Sequence, residues 1–208
     1  AERRVGIRRR LPGAERGDCR TGDNKCDQGL LCLSNLCVRP PAADCTMVSE
    51  TLASLLDDPR IHGIATALLG DDFNYMGSDG NYYVGDTRWH SDGWHKHIRH
   101  IKLAFYLDPL TAQTGALRVI PGSHRSGEPY ADQLQEQIRQ SPERWGVDGP
   151  NVPAMALETK PGDLLCFNHN TKHAAFGGSQ HRRMFTINLC QRYPEARVQE
   201  LRDYISGA

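Results

Sequence analysis

The chain has 208 residues, enough for one well-cored domain with a small appendage. Its 25 Lys plus Arg balance 25 Asp plus Glu, so net charge gives no case for binding nucleic acid or an anionic membrane. No apolar run is long enough to span a bilayer, and the most apolar stretch, residues 101–107, is strand-sized.

Five of the first ten residues are Arg. No apolar segment of signal-peptide type follows them, and the start reads as a disordered basic tail. Five of the seven cysteines (Cys19, Cys26, Cys32, Cys37 and Cys45) then crowd together among Gly, Asp and Arg, with turn signals at Gly17-Asp18, Gly22-Asp23-Asn24 and Pro40-Pro41. No strand or helix period is sustained there. The spacing is unlike paired Cys-x-x-Cys zinc sites and resembles small disulfide modules of secreted proteins. Residues 1–45 are therefore expected to form a basic, Cys-rich segment, and residues 46–208 the main domain.

Ser49 is a candidate N-cap for an apolar periodic run at Leu52, Leu55 and Leu56. Pro59 interrupts that run, and residues 61–69 read as a second helix closed by Gly70. From Asp72 the pattern becomes β. Residues 73–76 and 81–84 are expected as two short strands joined by a Ser78-Asp79-Gly80 turn. Residues 98–107 make a longer strand, and residues 117–120 another, closed by Pro121-Gly122. The charged, Gln-rich stretch 128–145 reads as a surface helix in an insertion. Strands are expected over 154–159, 164–167 and 184–190, the last entered through Arg182 and Arg183. Cys166 and Cys190 lie in apolar strand surroundings and are expected as buried small hydrophobes. Eight or so short strands with turn punctuation fit a mainly β fold, a two-sheet barrel with helices outside.

Trp89-His90-Ser91-Asp92-Gly93 carries the chemistry. In extended backbone, residues two apart share a face, so His90 and Asp92 present an imidazole and a carboxylate together. Gly93 permits an unusual turn just after. His173, expected just past a strand end, adds a second imidazole. Two His and one carboxylate form the facial set that holds Fe(II) and leaves positions open. Arg182, nine residues on, suits recognition of a carboxylate. Strand alternation puts Arg182, Met184, Thr186 and Asn188 on one face and Arg183, Phe185, Ile187 and Leu189 on the other. The first face is the more polar, so Arg182 and Thr186 are expected to line the cavity, with Arg183 the candidate if the alternation slips. His95, His97 and His100 are expected as loop residues at the cavity mouth, Trp89 as packing, and Trp94 as a candidate cavity wall.

Residues 89–92, 102–108, Thr114-Gly115-Ala116-Leu117-Arg118-Val119-Ile120-Pro121-Gly122-Ser123-His124-Arg125, Lys160-Pro161-Gly162-Asp163-Leu164-Leu165, His173 and Arg182-Arg183-Met184 occur in an order and spacing that resemble the phytanoyl-CoA dioxygenase family of Fe(II)/2-oxoglutarate oxygenases. The resemblance covers roughly residues 46 to 195. It implies a double-stranded β-helix, or jelly roll. It makes His90, Asp92 and His173 the iron ligands, Arg182 the anchor of 2-oxoglutarate, and O2 the oxidant, with ascorbate as an accessory reductant. The implied reaction hydroxylates a C–H bond of a small-molecule substrate and releases succinate and carbon dioxide. Asp92 favours hydroxylation, because halogenases of similar fold carry Ala or Gly there to admit a halide.

Two departures stand out. Relatives often place Gly-Ser after the second histidine, and that Ser helps bind the cosubstrate; this chain has Ala174-Ala175. Relatives also carry more structure ahead of the matched region, where this chain has its cysteines. Iron chemistry favours the cytoplasm, whereas a disulfide module belongs to an exported chain. The rival reading is a catalytically silent jelly-roll binding protein with an extracellular Cys-rich module, but such a protein has no reason to keep all four site residues.

Overall fold

The computed structural model describes residues 50–178 and 182–206, together with the backbone of two strands nearer the N-terminus. The chain divides into two units, Ala1–Ser49 and Glu50–Ala208. In the first unit, β1 (Leu31–Leu33) and β2 (Leu36–Val38) pair antiparallel, with Cys32 opposite Cys37 in the register. This hairpin was not visible in the sequence because three-residue strands are too short to establish a period. The expected bridges among the five clustered cysteines lie outside the described side chains.

The second unit opens with α1 (Glu50–Ala53), one 3-10 turn (Ser54–Asp57) and α2 (Pro59–Leu69). Pro59 starts α2 rather than merely ending what precedes it. Its missing N–H costs nothing in the first turn, and Asp58 caps the helix by accepting from the Arg60 amide at 2.8 Å. Ile61, Ala65 and Leu69 recur every four residues and bury one face against Ile101, Leu103, Ile187 and Leu189.

Eight strands follow: β3 (Phe73–Tyr83), β4 (Thr87–His90), β5 (His100–Tyr106), β6 (Leu117–Val119), β7 (Met155–Leu157), β8 (Leu164–Asn168), β9 (His173–Ala175) and β10 (Arg182–Gln191). They form two antiparallel four-stranded sheets, ordered β3-β10-β5-β8 and β4-β9-β6-β7. Apart from the β6–β7 pair, the chain changes sheet at every step. Ala104, Tyr106, Leu165 and Met184 of the first sheet share a core with Leu117 and Leu157 of the second, so the inner faces of the sheets pack on each other.

The expected hairpin at Ser78-Asp79-Gly80 is absent: β3 runs straight through it. Register decides this, since Gly80, Asp79 and Ser78 pair with Phe185, Thr186 and Ile187 of β10. Asp79 accepts from Thr186 Oγ1 at 3.3 Å. A local turn signal gives way to a long partner strand.

Between β6 and β7 the insertion folds as α3 (Pro129–Gln137), a 3-10 turn (Ile138–Gln140) and α4 (Ser141–Trp145). It is more than a surface helix: Leu134 and Ile138 are buried with Trp89, Ala174 and Phe176 on the outer face of the second sheet. The C-terminal α5 (Val198–Ser206) buries Leu201 beside Ile98, Cys190 and Tyr193. Cys190 is buried as expected, whereas Cys166 is exposed on β8, an edge strand. Among the described residues no helix is long and apolar enough to cross a membrane.

Leu103 is fully buried between β5 and α2. We expect Leu103→Ala to lower unfolding free energy in urea by about 2–5 kcal/mol, and Met155→Ala, at 55% exposure, to change it by less than about 0.5 kcal/mol.

Candidate metal centre

Alternation on β4 and β9 sets the site. Trp89 and Ala174 point outward into the core beneath α3, so their neighbours His90 and His173 point the other way. The two histidines are register partners across β4 and β9, with ring centroids 4.2 Å apart. His90 Nδ1 donates to the Arg88 carbonyl at 2.8 Å, and His173 Nδ1 donates to the Thr171 carbonyl at 2.9 Å. A carbonyl can only accept, so each ring carries its proton on Nδ1 and offers a bare Nε2.

Those two nitrogens face Asp92. His90 Nε2 lies 3.9 Å from Oδ1, and His173 Nε2 lies 3.7 Å from Oδ2. The Asp92 loop is held by its amide, which donates to the His169 carbonyl at 3.0 Å, and by Tyr204 of α5, whose hydroxyl donates to the Asp92 carbonyl at 3.1 Å. Burial pushes the His173 imidazole down to about 3 and lowers His90 as well, so both are neutral at neutral pH. Burial would raise the Asp92 carboxyl, but His173, Lys102, His169 and His90 around it favour its ionised form and together hold it well below the ordinary carboxylate range. Lys102 Nζ sits 2.9 Å from Asp92 Oδ2, yet too far off axis for a hydrogen bond, and Oδ2 is buried without one.

Three donor atoms within 4.8 Å of one another, two neutral nitrogens and one carboxylate oxygen, fit a first-row divalent cation such as Fe(II). His173 is held from behind. Its neighbour Lys172 is fully buried, donates from Nζ to the Asn170 carbonyl at 2.9 Å, and stacks over Trp94 at 4.0 Å. The Lys172 amide donates to Ser123 Oγ at 2.8 Å, and Ser123 Oγ donates to the Ile120 carbonyl at 2.6 Å. The Pro-Gly-Ser-His turn thus fixes the approach to β9, and Trp94 covers the Lys172 ammonium.

Arg182 and Arg183 part at the start of β10. Arg183 points outward to a salt bridge with Asp108 at 2.7 Å. Arg182 points inward and is 4% exposed. Its guanidinium donates to the carbonyls of Gly115 at 3.2 Å and Gly85 at 3.0 Å and to Thr87 Oγ1 at 3.2 Å. It lies 5.3 Å over the Tyr83 ring, while Nε is buried and unpartnered. No carboxylate among the described residues pairs with it. Asp86 acts on it only at longer range, and a buried guanidinium without a contact ion pair is costly unless an anion meets it. Gly115 (φ +97°) makes room, since a Cβ there would sit 2.8 Å from Arg182 Cδ.

Thr186 shares the inward face and is 1% exposed, its hydroxyl already given to Asp79. Ala175, where relatives place a Ser, is the register partner of Thr87. A hydroxyl therefore stands beside Arg182 from the neighbouring strand. Thr87, Lys102 and Tyr204 escaped the sequence reading because only register and tertiary packing bring them here. Alternation along residues 100–106 does place Lys102 with Ala104 and Tyr106 and was the available signal.

The histidines after Asp92 do not form a common loop lip. His97 is exposed, but His100 begins β5 and is 1% exposed, with Nε2 2.9 Å from the Tyr193 hydroxyl. A cleft of about 510 Å³ beside His95, His97, Arg99, His124 and Arg125 does not include the triad. Gly93 serves close approach rather than an unusual turn, since a Cβ there would run into the His95 ring.

Among proteins of known sequence, this chain is similar to the ectoine dioxygenase of Sphingopyxis alaskensis, at 30% identity over 153 residues, 62% of this chain and 49% of that protein. The ectoine dioxygenase of Nocardia farcinica is 29% identical over 150 residues, 62% and 50%. The chain spans about half the length of these curated relatives. The crystal structure of EctD from S. alaskensis with 2-oxoglutarate and 5-hydroxyectoine superposes with a TM-score of 0.53 at 29% identity, covering 70% of this chain and 54% of that one. The non-heme α-ketoglutarate-dependent epimerase SnoN from nogalamycin biosynthesis shares the fold, with a TM-score of 0.54 at 18% identity, covering 71% and 59%. Residues 39–185, which hold the triad and Arg182, match the phytanoyl-CoA dioxygenase (PhyH) family across more than half of the chain, and the protein belongs to that family.

Proposed function

We propose that the protein is an Fe(II)- and 2-oxoglutarate-dependent dioxygenase that hydroxylates a C–H bond of a small molecule, on a double-stranded β-helix scaffold. The observation that carries this reading is the pairing of a three-donor cation site with a buried, anion-less Arg182 on adjoining inner faces. His90, Asp92 and His173 would hold the iron, which when bound supplies oxygen activation coupled to conversion of 2-oxoglutarate into succinate and carbon dioxide. Arg182 would pair with the far carboxylate of the cosubstrate, with Thr87 replacing the hydroxyl that Ala175 lacks and Thr186 completing the wall. Lys102 would keep Asp92 ionised and fixed in direction while the opposite carboxylate oxygen meets the metal. Asp92 occupies the position a halide needs, which favours hydroxylation over halogenation.

The relatives named ectoine dioxygenase make ectoine the first substrate to try. Fe(II) chemistry suits a reducing compartment such as the cytoplasm, and ascorbate would serve only to keep the metal reduced.

Succinate release with Fe(II), 2-oxoglutarate, O2 and candidate substrates tests the reading. Asp92→Ala should reduce substrate-dependent succinate formation by more than about 100-fold, beyond what is typical for losing an outer-shell partner; wild-type turnover in that variant would remove Asp92 from the ligand set. Arg182→Ala should raise the KM for 2-oxoglutarate about 30-fold or more, as expected when one partner of a buried charged pair is lost. Arg183→Ala should leave that KM within about threefold, since an exposed pair contributes little. The reverse ranking of the two variants would reassign the anchor.

A further inference from the structure

Outside the triad, the described residues bring together a second set of ligating side chains: His95, His100 and His169. His95 Nε2, His100 Nδ1 and His169 Nε2 are all buried and none makes a hydrogen bond of good geometry, the Asn188 side chain being the polar group nearby that acts on the His169 ring. Each of the three residues offers a ring nitrogen within 4.8 Å of the others, and three orphaned nitrogens gathered in one cluster call for a shared ligand. His100 and His169 are only 1% and 3% exposed.

We infer that these three imidazoles form a second divalent-metal site, of the three-nitrogen type that zinc favours. The other ring nitrogens of His100 and His169 already have hydroxyl partners that would orient the rings. His100 Nε2 meets the Tyr193 hydroxyl at 2.9 Å, and His169 Nδ1 meets the Tyr204 hydroxyl at 3.5 Å. His95 is held through its backbone, its amide donating to Asn170 Oδ1 at 2.7 Å and its carbonyl accepting from Asn170 Nδ2 at 2.7 Å. Gly93 lets the His95 ring pack this closely, since a Cβ there would collide with Nε2. A cavity of about 240 Å³ reaches the cluster on its His95 side, beside Tyr193 and Tyr204, and offers an ion a way in.

His95 and His100 stack with centroids 3.5 Å apart and planes 7° apart, so their free nitrogens lie in parallel planes. One ring must turn for both to meet one ion. His95, partly exposed, is the ring with that freedom. Tyr204 touches both the His169 ring and the Asp92 carbonyl, so metal loading at the three histidines would stiffen the Asp92 loop.

The test counts Zn(II) bound per tag-free, metal-stripped chain by equilibrium dialysis and elemental analysis, with circular dichroism confirming the fold of each variant. His90→Ala with Asp92→Ala, which removes the triad, should still bind one Zn(II). Adding His95→Ala to that pair should abolish binding. In the triad-less chain, Co(II) should give the intense visible absorption of a four-coordinate nitrogen site. A triad-less chain that binds no Zn(II), or one whose binding survives His95→Ala, overturns the inference and leaves a buried water as the partner of the three nitrogens. Each reading governs a different equivalent of metal, so failure of the triad and failure of the second site are distinguishable.

Discussion

The site depends on one cross-strand pairing. His90 stands opposite His173 because β4 and β9 are neighbours in register. Both rings face inward because Trp89 and Ala174 are committed to the outer core. Each imidazole is then turned by the carbonyl two residues upstream, which leaves Nε2 bare. Slipping either strand by one residue would send its histidine to the opposite face. The helical insertion thus has a role beyond covering the sheet: by burying Trp89 it fixes which side of β4 presents His90 to His173.

Two charged groups on the inner surface are left with incomplete contacts, although Lys102 lies 2.9 Å from Asp92. Asp92 has an oxygen without a hydrogen bond, and Arg182 has no carboxylate partner among the described residues. Neither would be retained for stability, since removing a charge from water costs several kcal/mol. Both become intelligible if a cation and a dianion are the missing partners. Gly115 and Gly178 leave the space Arg182 occupies, as side chains at either position would press on it. The glycine of the Thr114-Gly115-Ala116 stretch is thereby explained by the guanidinium it accommodates.

Much of this was legible in the sequence, and the reasons are physical. A period of two places His90 with Asp92 and separates Arg182 from Arg183, and it needs no tertiary information. The amphipathic spacing of Ile61, Ala65 and Leu69 announces a helix with one buried face. Thr87 was illegible because its relevance depends on lying across from Ala175, a register that no local pattern encodes. The Ser78-Asp79-Gly80 stretch misled because turn chemistry is local, whereas pairing with β10 is not. The α5 helix lies beyond the last expected strand, and nothing local says that Tyr204 reaches Asp92. The expected strand over residues 98–107 already includes His100, but nothing local shows its burial against Tyr193, 93 positions away.

Anaerobic titration of 2-oxoglutarate into the chain, with and without Fe(II), probes the central claim most directly. One 2-oxoglutarate should bind per chain, only when Fe(II) is present, with a visible charge-transfer band appearing in step with occupancy. Binding that ignores the metal, or no binding to the Fe(II)-loaded chain, would contradict a site built to hold the two together.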